Sequence, residues 1–160
     1  MWRSLYSNWN GRNARRKQRE EDSLRVIRSC DTILKELHDH NEALNTRKYT
    51  HTIRKEHGIY YKHRYLNTSA FDNILYSGLF THFDAKTQIQ VSNLYLMINL
   101  RNETSLYKFK FQDMFFIGDV ESPKAQSYYN KSIVSYEQYL TLLEKNIRET
   151  IATSHKIFRK

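Results

Sequence analysis

The sequence predicts an all-α protein: a long antiparallel helical hairpin, about 21–46 and 126–156, with shorter helices inserted between its arms. Three observations carry this. Apolar residues recur in steps of three and four over two long stretches towards the ends of the chain. Only four glycines and one proline occur in 160 residues, too few for the many tight turns of an all-β fold. Hydrophobic residues are 39% and charged residues 27%, a balance that supports a core of its own and excludes wholesale disorder.

The elements follow in order. Residues 1–19 form a basic aromatic tail, and 20–160 a single helical domain. In the tail, Trp2, Leu5, Tyr6 and Trp9 have the i, i+3, i+4, i+7 spacing of one helical face. Asn8, Asn10 and Gly11 then break that pattern. The helix at about 21–46 shows a coiled-coil seam, with Ile27, Leu34 and Asn41 at a and Cys30, Leu37 and Leu44 at d. Glu20, Glu21 and Asp22 precede it and Arg47 and Lys48 follow it, as the helix dipole favours.

Residues 47–66 are a basic connector rich in Tyr and His, with no assigned structure. Thr68 or Ser69 can cap a short helix that Gly78 ends, and Ser69 and Asp72 have capping-box spacing. Asp84 can cap a helix over about 85–102, with Val91, Leu94, Tyr95 and Ile98 on one face. Residues 106–117 alternate like a strand at Tyr107, Lys108, Phe109, Lys110 and Phe111. An isolated strand cannot satisfy its backbone, so the stretch is read as helical or irregular. Residues 118–126, with Pro123, form a linker or turn. Ile133, Tyr136, Leu140, Leu143, Ile147 and Thr150 then repeat the three–four stepping of the last long helix.

The net charge of +9 is local. Residues 1–19 contribute +6 and residues 47–64 contribute +5, so the remainder is slightly acidic. Both stretches point to acidic surfaces. In the first, Trp2, Leu5, Tyr6, Trp9, Arg12, Arg15, Arg16, Lys17 and Arg19 match the chemistry of an anionic membrane interface. A disordered, solubilising terminus accounts for the same residues. In the second, Arg47, Lys48, Arg54, Lys55, Lys62 and Arg64 suit an acidic partner or nucleic acid. Tyr49, Tyr60, Tyr61 and Tyr65 are available there to stack on bases.

No catalytic, cofactor-binding or metal-ligating residue is assigned. His38 and His40 are two apart on a helix and cannot share an ion. His51, His57 and His63 lack partnering cysteines or carboxylates. Cys30, the single cysteine, precludes an intrachain disulfide, suits a reducing compartment and reads as a small core residue. Glu36, Glu42, Glu137, Glu144 and Glu149 read as solvated faces. No phosphate-binding glycine motif occurs. No apolar run is long enough to span a bilayer, and no signal-peptide core is visible.

The segment YLNTSAFDNILYSGLFTHFDAKTQIQVSNLYLMINLRN, residues 65–102, resembles an element of uncharacterised archaeal and bacterial helical proteins. The later YEQYLTLLEKNI, residues 136–147, is similar to the same group. The shared features are an aromatic-Leu entry, a Ser-Gly helix stop, a Leu/Phe-rich turn ending in Asp, and a helix with Leu-Tyr and then Ile…Asn. The resemblance covers about a third of the chain and brings no activity. Such proteins often carry a membrane-spanning helix before the long N-terminal one, where this chain has only the aromatic–basic tail.

The expected role is thus a non-enzymatic interaction or scaffold module, cytoplasmic and peripheral to a membrane. A nucleic-acid-binding protein using 1–19 and 47–64 is the alternative, and a small enzyme or effector without a recognisable site is the third. The heptad seams also suit a protein partner or a homo-oligomer.

Overall fold

The computed structural model describes residues 2–46, 49–55, 58–117 and 122–158, with side chains for 13–45, 63–115 and 122–153. Four α-helices dominate the described residues: α1 (Trp2–Thr46), α2 (Ser69–Tyr76), α3 (Ala85–Ile117) and α4 (Pro123–Phe158). The all-α expectation is met, with one small addition. Strands β1 (Tyr49–Lys55) and β2 (Gly58–His63) form an antiparallel hairpin within the basic connector. Arg54 pairs with Ile59 and His51 with Lys62, with an irregularity between Tyr49 and His51. A lone hairpin is marginal in water. This one is secured because β2 packs on α3.

Helix α1 runs unbroken through Asn8, Asn10 and Gly11, so the expected break there and the expected start near residue 21 are both corrected. The tail is the first two-fifths of one 45-residue helix, about 67 Å long. Its buried face is Ile33, Glu36, Leu37, His40, Ala43 and Leu44. Leu37 and Leu44 belong to the expected seam. Leu34 and Asn41 lie at its edge, and Ile27 is exposed. The heptad reading therefore placed the face about one position off. Two of the positions actually buried, Glu36 and His40, are polar and lie outside that seam.

Thr68 occupies the position before α2, but its side chain makes no capping bond to the backbone. Gly78 ends the turn at φ +73°, the left-handed conformation that glycine adopts without strain. A 3-10 turn over Leu79–His82 follows. Asp84 caps α3 as expected: its Oδ1 accepts from the Thr87 N–H at 3.0 Å and its Oδ2 from the Thr87 hydroxyl at 2.6 Å. Helix α3 then continues to Ile117, so 106–117 is helical. The strand-like alternation is inverted in space, with Lys108 buried and Tyr107 exposed. Helix α4 begins at Pro123, where proline needs no N–H partner and its fixed φ suits the first turn.

Helix α4 packs on both α1 and α3, and the α3–α4 contact is the more extensive. Arg101 meets Glu144 and Lys108 meets Glu137, so α3 and α4 run antiparallel. The core joins Ile33, Leu37 and Leu44 of α1, Phe71 and Ile74 of α2, the expected Val91–Leu94–Tyr95–Ile98 face of α3, and Ile147 and Ile151 of α4. Phe71 stacks on Tyr95 at 4.3 Å. At the far end of the α3–α4 pair, Phe115 stacks on Tyr129 at 4.1 Å.

Candidate functional site

Two buried polar centres and one exposed basic arm are the candidates. The larger centre lies between β2, α3 and α4. Arg101 and Lys108 are two turns apart on α3, and Glu137 and Glu144 are two turns apart on α4, so each pair shares a helical face. The antiparallel pairing sets them opposite each other. Arg101 donates to Glu144 Oε1 through Nε at 3.2 Å and Nη2 at 2.9 Å. Lys108 pairs with Glu137. His63, at the end of β2, closes the cluster. Its Nε2 lies 3.3 Å from Lys108 Nζ and 3.8 Å from Glu137, and its Nδ1 lies 3.7 Å from Glu144.

Burial alone would raise both glutamate pKa values, yet both are lowered. For Glu137 the first cause is the His63 ring, with Lys108 adding to it, and the pKa falls to about 2. For Glu144 burial is the largest influence, but His63 and Arg101 together outweigh it. Desolvation moves the Arg101 pKa down, against the opposing pull of Glu144. Arg101 also donates to the Arg64 carbonyl. The adjacent Asn102 side chain accepts from the Leu66 N–H at 3.0 Å and donates to the Leu66 carbonyl at 2.8 Å. The cluster thereby fastens the exit of the hairpin onto α3.

The smaller centre is Glu36. Its Oε1 accepts from the Tyr95 hydroxyl at 2.6 Å, and its Oε2 accepts from the Ala70 N–H at 2.9 Å and the Ser69 hydroxyl at 3.3 Å. A carboxylate of α1 thus supplies the cap that the Ser69–Asp72 spacing had suggested would be local. Burial is the main reason the Tyr95 pKa is pushed up, with Glu36 adding to it. One turn on, His40 is buried with both ring nitrogens outside hydrogen-bonding geometry. Desolvation lowers its pKa, although Glu36 and the Asn67 backbone pull the other way.

The expectation of solvated carboxylates is therefore corrected for Glu36, Glu137 and Glu144. It holds for Glu42, beside His38, and Glu149, beside Lys145. The reading of His63 as lacking carboxylate neighbours is also corrected, since its fully buried side chain lies beside Glu137 and Glu144. One sequence signal could have found the main cluster: opposite charges repeated at seven-residue spacing on two apolar helices. A cleft of about 520 Å³ opens beside it, lined in part by His63, Arg101, Asn102 and Ser105. Arg101 and Asn102 are bonded within the protein, so the cleft floor has little free polar capacity there. Among the described residues no group of three or more His, Cys, Asp or Glu is arranged to hold a metal ion.

The third candidate is the N-terminal half of α1. Among residues 13–32 none is buried, and the first buried position is Ile33. Arg15, Arg16, Lys17 and Arg19 are all exposed. The root of this arm, at Arg19, Asp22, Ser23, Val26 and Ile27, faces His82 of the 3-10 turn. Trp2, Leu5, Tyr6, Trp9 and Arg12 lie on the same helix, but their side chains fall outside the described residues. Of the second basic group, Arg54, Lys55 and Lys62 lie on the hairpin and Arg64 is exposed just beyond it. Arg47 and Lys48 fall outside the described residues.

Among the described residues no helix is long and apolar enough to cross a membrane. No family model, curated protein or solved structure matches the chain.

Proposed function

We propose that the protein is a non-enzymatic interaction module whose α1 arm attaches it reversibly to an anionic membrane surface. The observation that supports this most is the absence of any buried position among residues 13–32 of a continuous helix. Residues 13–21 are exposed at every position, and ordering such a stretch without burying a face leaves its stability marginal unless something else covers it. The arm combines aromatic residues at helical spacing with a run of arginine and lysine. Aromatics favour the lipid–water boundary, and each nearby cation contributes about 1 kcal/mol of attraction to an anionic leaflet. The buried ionic cluster acts as a clamp in this reading, because both carboxylates are held charged by cations of the protein itself.

The test is co-sedimentation with vesicles containing phosphatidylserine. The full chain is expected to pellet at low salt and to be released by the joint change Trp2→Ala and Trp9→Ala. Unchanged pelleting of that variant would remove the arm from the mechanism.

The hairpin favours a second reading. A two-stranded ribbon fits the major groove of a duplex, and this one carries Arg54, Lys55 and Lys62 together with Tyr60 and Tyr61. Salt-steep nucleic-acid binding, weakened by changing Arg54, Lys55, Lys62 and Arg64 to Glu, would support it. No binding at low salt would end it.

A further inference from the structure

Helix α3 is apolar on two opposite sides. One side is the core face already described. On the other, Ile89, Leu96, Leu100, Tyr107 and Met114 are between 37 and 73% exposed. Their steps of seven, four, seven and seven residues place all five on one straight stripe of the helix. The stripe is about 38 Å long. With a width of about 10 Å it amounts to roughly 400 Å², the size at which an exposed apolar patch marks an interaction site. A helix apolar all round is ordinarily covered all round. Here the described elements cover one side only.

We propose that this stripe docks against the same stripe of a second copy, with the two α3 helices antiparallel. Written as a heptad seam, Asn93, Leu100, Tyr107 and Met114 take a positions, and Ile89, Leu96, Glu103 and Lys110 take d positions. An antiparallel two-fold pairs a with d of the other copy. Met114 then meets Ile89, Tyr107 meets Leu96, Leu100 meets Glu103, and Asn93 meets Lys110. Two layers, Met114–Ile89 and Tyr107–Leu96, are apolar on both sides, Leu100 lies against the stem of Glu103, and neither seam charge is opposed by its own kind. A parallel, in-register pair would stack Glu103 on Glu103 and Lys110 on Lys110, which like-charge repulsion disfavours. The area is below the roughly 800 Å² per partner of a stable complex, so the dimer is a concentration-dependent one. This contact is independent of the α1 arm.

Sedimentation velocity on the full chain across a concentration series tests the association. A monomer–dimer equilibrium in the micromolar range or weaker is expected, and Leu96→Glu should weaken it by roughly 100-fold or more because each dimer loses two apolar contacts. Leu96 is exposed in the monomer, so helicity and the thermal midpoint should be unchanged. The register is tested in a Cys30→Ser background with a short thiol-bridging reagent. A mixture of Leu96→Cys and Tyr107→Cys chains should bridge, and neither chain alone should, since two copies of position 96 lie about 16 Å apart along the pair. A monomer at every concentration, an association indifferent to Leu96→Glu, or bridging of each single variant with itself would overturn the proposal. So would a solution monomer that binds vesicles through this stripe, which would assign the face to lipid.

Discussion

The two buried carboxylate centres solve one problem in different ways. Glu36 is held by a hydroxyl of Tyr95, a hydroxyl of Ser69 and a backbone N–H at the start of α2. Glu144 is held by the Arg101 guanidinium, with His63 close by. Neutral donors satisfy the first centre, so losing one removes a single hydrogen bond and leaves the other two on the carboxylate. The second balances full charges, and removing either partner strands the other in a low-dielectric interior. The first therefore joins α1, α2 and α3 at modest risk. The second fixes α3, α4 and the hairpin with a larger penalty for any defect.

The sharpest way to break this contrast is Glu144→Ala. It leaves Arg101 buried without its carboxylate and should cost about 3–5 kcal/mol in chemical denaturation. The paired change Arg101→Met with Glu144→Leu should cost much less, because it removes both charges and refills the space. Equal losses in the two variants would show that the ion pair itself, not its desolvation, carries the stability. Next in size is Tyr95→Phe, which removes one neutral donor from the Glu36 carboxylate and should cost about 1.5–3 kcal/mol by the same measurement.

Acid should separate the centres by pH. The His40 pKa is lowered in the folded chain, chiefly by burial. Below its ordinary value near 6.5 the unfolded chain takes up a proton that the fold resists. Stability associated with His40 is thus complete above about pH 6.5 and falls as the pH drops towards the folded value. Glu137 and Glu144 also have lowered values, but as acids. Their contribution is complete above about pH 4.3 and is lost as the pH falls through the folded values, about 2 for Glu137. Denaturation midpoints between pH 7 and 5 should flatten in His40→Leu, while the loss below pH 4.3 persists. The smallest effect belongs to the exposed Lys145–Glu149 pair, at 3.9 Å. Lys145→Ala should shift stability by no more than about 0.5 kcal/mol.

Legibility from sequence follows the same division. The core face of α3, the stepping of α4 around Leu140, Leu143 and Ile147, the Asp84 cap and the Gly78 stop were all readable. Each depends on residues within a few positions of one another. The heptad pattern misplaces the buried face of α1, and the carboxylates of the charged cluster read as solvated. Glu36 looked solvated because Tyr95, its closest donor, is 59 residues away, and Arg101 and Glu144 are 43 residues apart.

Local periodicity and turn chemistry therefore determined the helices, the class of fold and the places where basic charge gathers. Those properties arise from backbone geometry and near-neighbour side chains, and they need no knowledge of what packs on what. Tertiary structure alone decided which polar groups could be buried, how the hairpin is fastened and which face of α3 is left uncovered. A charge can leave water only where a partner from elsewhere in the chain meets it, and that meeting exists only once the helices have docked.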